Sequence, residues 1–198
     1  HDALPIYIKQ KQIVKDNEKI IAKAKSDIEK AEMQLNENNK YKSILYTNGD
    51  ELVIVIFNIL EKIFDYDLSK FKDEKKEDFL IQLENVTFIG EIKGVTSNIR
   101  SENIAQLERH YQSYRDKLQD ENREEFVKSI LIMNHQRNVK LSSRQPIHEN
   151  QINLAKRYNS VIIETYSLLK LYEKLLSHTI SKNEIIELFI NSNGLLNT

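Results

Sequence analysis

The sequence contains no cysteine and no tryptophan, with only Pro 2, Gly 4 and Met 2. Without cysteine there is no disulfide framework, no thiolate zinc site and no thiol nucleophile. So little glycine and proline excludes collagen-like, Pro-rich and flexible-linker compositions. Long apolar runs are missing too. The longest, Leu52-Val53-Ile54-Val55-Ile56-Phe57, falls far short of the roughly 20 residues a spanning helix needs, and no apolar N-terminal stretch resembles a secretion signal. These absences point to a soluble, cytoplasmic protein with no membrane partner. Neither sign of charge prevails: Lys+Arg 29 against Asp+Glu 30 leave a net charge of -1, which argues against a strong autonomous nucleic-acid binder. No Gly-rich phosphate loop is present, and the five histidines show no H-E-x-x-H spacing, so nucleotide hydrolysis and zinc-protease chemistry are excluded. What is present is enough apolar material, 40% of 198 residues, for one domain with an appendage. His1 stands where an initiator Met would, which suggests a piece of a longer protein whose other domains or partner subunits lie elsewhere.

Residues 9–42 lack Gly and Pro and carry a seven-residue repeat with Val14, Ile21, Ile28 and Leu35 in one column. Asn17, Ala24, Ala31 and Asn38 form the next. A β-branched column beside a small or polar one is a thin seam. It suits either a helical arm pairing with another helix or a long helix folded back on the domain. Beyond Tyr41 the pattern changes. Asn48-Gly49-Asp50 signals a turn and helix cap, and Leu52, Val53, Ile56, Phe57, Leu60 and Phe64 recur at helical spacing. The spacing then predicts a strand at 64–68, a charged loop at 70–76, strands at 78–83 and 86–93, and a helix over 99–118. Further strands at 127–133 and 161–163 alternate with helices at 147–158 and 167–176. A last helix at 181–191 ends at Gly194. Alternation of helix and strand makes the domain α/β.

The loop Glu84-Asn85 allows the pairing of the two central strands to be computed. A two-residue hairpin sets Leu83 opposite Val86 and therefore Asp78 opposite Glu91, whereas a three-residue loop would shift the pairing by one and set Ile92 opposite Asp78. Like charges facing each other across a ladder destabilise it unless something compensates, and a divalent cation would. Lys93, two residues beyond Glu91, shares that face. The other face collects Phe79, Ile81, Leu83, Val86, Phe88 and Ile92, as a core-facing side should. Carboxylates completed by water and the Ile92 carbonyl suit Mg²⁺ or Mn²⁺ rather than zinc. Such an ion lowers the pKa of bound water and stabilises the charge of phosphodiester hydrolysis, while a nearby lysine orients the nucleophile or offsets phosphate charge.

Asp78 followed after twelve residues by Glu91-Ile92-Lys93 resembles the D-x(n)-(D/E)-x-K signature of the PD-(D/E)xK, or restriction-endonuclease-like, nuclease superfamily. Glu77 stands where the name of the motif has proline. The order of elements over residues 44–178 is similar as well. The resemblance implies a restriction-endonuclease-like core, with a central mixed β-sheet flanked by helices. To this the chain adds the N-terminal helical, coiled-coil arm at 1–43 and a C-terminal helical tail at 179–198. It implies metal ligation by Asp78, Glu91 and the Ile92 carbonyl, and catalysis by Asp78, Glu91 and Lys93. Glu51 resembles the extra acidic residue many members place near the metal. Gln106 resembles the glutamine of a Q-xxx-Y element, with His110 in the tyrosine position and Tyr111 one residue late. DNA is the implied partner and Mg²⁺, or Mn²⁺, the implied cofactor.

Arg100, Arg109, Arg137, Lys140 and Arg144 are the basic residues placed to contact phosphates, which supply most nonspecific DNA affinity. The reading is an endonuclease effector domain of a bacterial restriction or antiphage system, dimeric or larger through its arm. Two alternatives stay open: a catalytically silent interaction module, and a transposase or repair nuclease that depends on a partner.

Overall fold

The computed structural model describes residues 3–69 and 77–197, and the loop expected at 70–76 lies outside them. Two compact units result, residues 1–40 and 41–198. The first is a single helix, α1 (Ala3–Lys42). Its proline, Pro5, sits in the first turn, where a missing N–H breaks no helical hydrogen bond. Val14, Ile21, Ile28 and Leu35 are all exposed along it.

The second unit begins its main architecture with α2 (Gly49–Phe64). Leu52, Val55, Ile56, Ile59, Leu60 and Ile63 are spaced three or four apart and are buried, so one face of α2 belongs to the core. The strand expected at 64–68 does not form. Asp65 takes a left-handed conformation (φ 56°) and its N–H donates to the Glu61 carbonyl, closing the helix instead.

A hairpin follows, β1 (Phe79–Gln82) and β2 (Thr87–Gly94). The remaining elements are α3 (Ser101–Asp120), β3 (Val127–Asn134), α4 (Glu149–Arg157), β4 (Val161–Glu164), α5 (Thr165–Leu176), α6 (Lys182–Asn191) and β5 (Gly194–Leu195). The strands form one sheet in the order β1-β2-β3-β4-β5, antiparallel between β1 and β2 and parallel thereafter. The sheet is therefore mixed, as the core was expected to be. β5 is a correction: Gly194 does not end the last helix but opens a short strand against β4. The residues expected as a tail also contribute Ile185, Phe189 and Leu196 to the core.

Strand alternation divides the sheet between two layers. Phe79, Ile81, Phe88, Ile92, Ile130, Ile132 and Ile163 pack with α2, α5 and α6. Leu131, Met133 and Ile162 pack with Ile104 and Leu107 of α3 and Ala155 of α4, while Ile89 meets Tyr114 and Leu118 of α3. Glu91 has the parity of Ile89, so its side chain enters the α3 layer. Two glycines make the local packing possible. A Cβ on Gly90 would lie 2.0 Å from the Phe79 ring, and one on Gly94 would meet Asn48 Cβ at 2.7 Å. The second contact brings the start of α2 against the end of β2. No helix among the described residues is long and apolar enough to cross a membrane.

Candidate active site

The ladder keeps the register its loop length dictates, but the expected pair of Asp78 with Glu91 does not form, because the ladder ends at Phe79 and Gly90. Phe79 faces Gly90, Ile81 faces Phe88 and Gln82 faces Thr87, with the Leu83 N–H donating to the Val86 carbonyl at 2.9 Å. Asp78 lies one residue before β1 begins. Its N–H donates to the Gly90 carbonyl (2.9 Å), although Gly90 is already the partner of Phe79. Two residues thus face one, as at a β-bulge, a device that re-aims a side chain. Here it turns the Asp78 carboxylate toward β2, where Oδ2 accepts the Ile92 N–H at 2.6 Å. A strand residue's N–H and C=O project from the same edge, so the Ile92 carbonyl is directed toward that side too.

Lys93 joins the two carboxylates. Its Nζ lies 2.7 Å from Glu91 Oε2 and 3.8 Å from Asp78 Oδ2. Glu91 is fully buried, while the side chains of Lys93 and Asp78 remain partly exposed. Two residues of α3, one turn apart, reach Glu91 from above. Gln106 Nε2 donates to Oε2 at 3.2 Å, and His110 Nε2 lies 3.1 Å from Oε1. That second approach lacks hydrogen-bond alignment, since Oε1 is buried and has no hydrogen-bond partner. Burial pushes the Glu91 carboxyl up to about 7, the nearby Asp78 charge adding to the effect while Lys93 opposes it. Burial also lowers the His110 imidazole, reinforced by Arg109 and Lys93.

Both carboxylates face the Lys93 ammonium, and among the described residues one buried carboxylate oxygen, Glu91 Oε1, has no hydrogen-bond partner. A hard divalent ion fits that donor set. Among the described residues no three acidic or imidazole side chains form a ready-made cage. An ion held here would therefore draw on Asp78, Glu91, a backbone carbonyl and water.

The other expected site residues lie at varying distances from this cluster. A cavity of ≈ 580 Å³ beside Asp78, Ile92, Lys93 and Gly94 is walled by Gly49, Asp50, Val53, Ile54 and Phe57 of α2. Asp50 lines it, and the neighbouring Glu51 is exposed to solvent. Arg100 and Arg137 line a second cavity of ≈ 450 Å³ that starts at Gly94. Hydrogen bonds from Gln136 N–H to the Ser97 carbonyl (3.0 Å) and from Arg137 N–H to the Val95 carbonyl (3.1 Å) hold the two loops together there. Arg109 and Lys140 are exposed. Arg144 has another occupation: its guanidinium donates to Asn134 Oδ1 (3.0 Å), to the Val139 carbonyl (3.3 Å) and to the Leu45 carbonyl, tying the end of β3 to the segment before α2. Asp50 and His110 are the residues sequence reasoning did not assign to the site. The i, i+4 relation of His110 to Gln106 was the signal that pointed to it.

No protein-family model matches the chain, and no curated protein matches it. Solved structures do. The restriction endonuclease FokI bound to DNA superposes with a TM-score of 0.58 at 16% identity, covering 82% of this chain and 30% of that one. A second structure of restriction endonuclease FokI gives 0.57 at 14%, covering 80% and 30%. The chain thus spans less than a third of the FokI length. It has the restriction-endonuclease-like α/β fold, a central mixed sheet flanked by helices.

Proposed function

We propose that this chain is a metal-dependent nuclease domain that hydrolyses phosphodiester bonds of DNA, as an effector piece of a restriction or antiphage system. The observation that carries this is the convergence of Asp78, Glu91 and Lys93 at the start of the hairpin, inside a fold shared with a DNA-bound restriction endonuclease.

Asp78, Glu91 and the Ile92 carbonyl would hold Mg²⁺ or Mn²⁺. When bound, such an ion supplies Lewis acidity and a lowered pKa of coordinated water. The protein's part is positional. The Ile92 N–H fixes Asp78, and Gln106 fixes Glu91 Oε2. The flexible Lys93 ammonium, released from its carboxylate partners, orients the attacking water and offsets charge developing on the phosphate. Arg100 and Arg137 receive a neighbouring phosphate, and their cavity begins one residue after Lys93. Asp50 and the exposed Glu51 add negative charge on the α2 side. α1 joins two copies through its exposed apolar column.

Incubating supercoiled plasmid with the purified chain, with and without Mg²⁺ or Mn²⁺, tests the reading. Nicking or linearisation that requires the ion and vanishes in Lys93→Ala is the expected result. Cleavage unaffected by that substitution would overturn it.

A further inference from the structure

Among the described residues, Glu91 Oε1 is one of the few buried side-chain atoms without a hydrogen-bond partner. It belongs to a fully buried side chain, and no hydrogen bond reaches it. Oε2 of the same carboxylate is well supplied by Lys93 and Gln106. Leaving a buried oxygen unsatisfied costs free energy unless something meets it in the working state. His110 Nε2 lies 3.1 Å from it but unaligned.

Nearness without alignment distinguishes two roles for an imidazole. A donor that merely holds a carboxylate points its N–H at the oxygen. Two ligands of one ion instead point past each other, toward the ion. Adjacent donors around an octahedral ion with bonds of about 2.1 Å lie about 3 Å apart, which is the separation seen here. We propose that His110 Nε2 is a nitrogen ligand to the ion that Glu91 binds, and that it makes the site select a transition-metal cation such as Mn²⁺ over Mg²⁺. This rests on the metal-dependent reading above and narrows it.

The selectivity follows from ligand chemistry. Carboxylate, carbonyl and water oxygens serve Mg²⁺ and Mn²⁺ alike, whereas an imidazole nitrogen favours the transition metal. Helix geometry makes the arrangement economical: Gln106 and His110 stand one turn apart on the same face of α3. The first therefore holds Oε2 while the second addresses the ion at Oε1.

Calorimetric titration of the full chain with Mn²⁺ and with Mg²⁺, repeated on His110→Ala, His110→Gln and Glu91→Gln, decides the matter. The parent should bind Mn²⁺ at least about tenfold more tightly than Mg²⁺. His110→Ala and His110→Gln should both lose that preference while keeping their Mg²⁺ affinity. Glu91→Gln should lose both ions. Electron spin-echo spectroscopy of Mn²⁺ on the parent should show coupling to a nitrogen nucleus, a readout independent of any variant's folding. If His110→Gln restores the preference, or His110→Ala weakens both ions equally, or no nitrogen coupling is seen, His110 only holds Glu91 and the inference fails while the metal-dependent reading stands. A parent chain that binds neither ion overturns both.

Discussion

The Ile92 N–H donates to Asp78 Oδ2 at 2.6 Å across the hairpin, one residue beyond the last ladder pair on β1 and two beyond it on β2. This contact makes the site a consequence of strand register. Slipping the pairing by one residue would send Asp78 to the other face. It also separates two roles. In Asp78→Asn the amide carbonyl still accepts from Ile92, so stability should change by less than about 1 kcal/mol, but the ligand charge is gone. Mn²⁺ binding and cleavage should both disappear. Lys93→Ala removes no ligand, so it should bind Mn²⁺ and yet not cleave. Titration calorimetry alongside plasmid cleavage checks both; loss of Mn²⁺ binding in Lys93→Ala would contradict the assignment.

Glu91 gives the metal-free protein a distinctive pH dependence. Burial raises its pKa in the folded state from 4.5 to about 7, with Asp78 adding to the shift and Lys93 opposing it. Between those two values the folded chain holds more protons here than the unfolded chain. The associated stability is fully present below the unfolded value and is lost as pH rises through about 7. Glu91→Gln removes the titration. Thermal melts without metal should show the variant close to the parent at pH 5, gaining on it as pH rises to about 7 and holding that lead above it. A difference independent of pH would show that burial does not govern this carboxyl.

Much of this arrangement could be read from the sequence, because it depends on local rules. Two residues between Leu83 and Val86 determine the whole ladder, and the alternation of Phe79, Ile81, Phe88 and Ile92 determines which face is core. Where reading failed, longer-range contacts decided. Phe64-Asp65-Tyr66-Asp67-Leu68 alternates like a strand, yet Asp65 caps α2 in a left-handed conformation. β5 is two residues long, too short to show any period. Arg144 resembles a phosphate contact until the fold brings the Leu45 carbonyl to it from ninety-nine positions away. Asp50 could not be told from Glu51, because which of two adjacent helix residues faces the cavity depends on how Gly94 seats the start of α2.

Arg100 and Arg137 line one cavity beside the proposed catalytic end of β2, and the chain as a whole is nearly neutral. Affinity for DNA should therefore be modest and should rest on few phosphate contacts. Each contact contributes about 0.9 to the slope of log affinity against log salt. Arg100→Ala and Arg137→Ala should each reduce that slope by roughly one, uniformly across duplex sequences. Arg144→Ala should instead lower the melting temperature, since it removes the strut between β3 and the segment before α2. Fluorescence titrations of a labelled duplex at two salt concentrations measure the first effect, and thermal melts the second. An unchanged slope in both arginine variants would remove this cavity from the DNA path.

α1 leaves Val14, Ile21, Ile28 and Leu35 exposed in one column at heptad spacing. Water contact over four aliphatic side chains is unfavourable by about 1.5–3 kcal/mol each, so pairing two such helices recovers enough to hold a dimer. Ala24 and Ala31 make the adjoining column small, so the seam is thin. Sedimentation equilibrium of the full chain at tens of micromolar should give twice the monomer mass. Ile21→Lys with Ile28→Lys places charges in the middle of the seam and should give the monomer. Because both lie within residues 1–40, a unit separate from the sheet, the melting of the second unit should be unaltered. A parent chain that sediments as a monomer at that concentration would overturn the dimer.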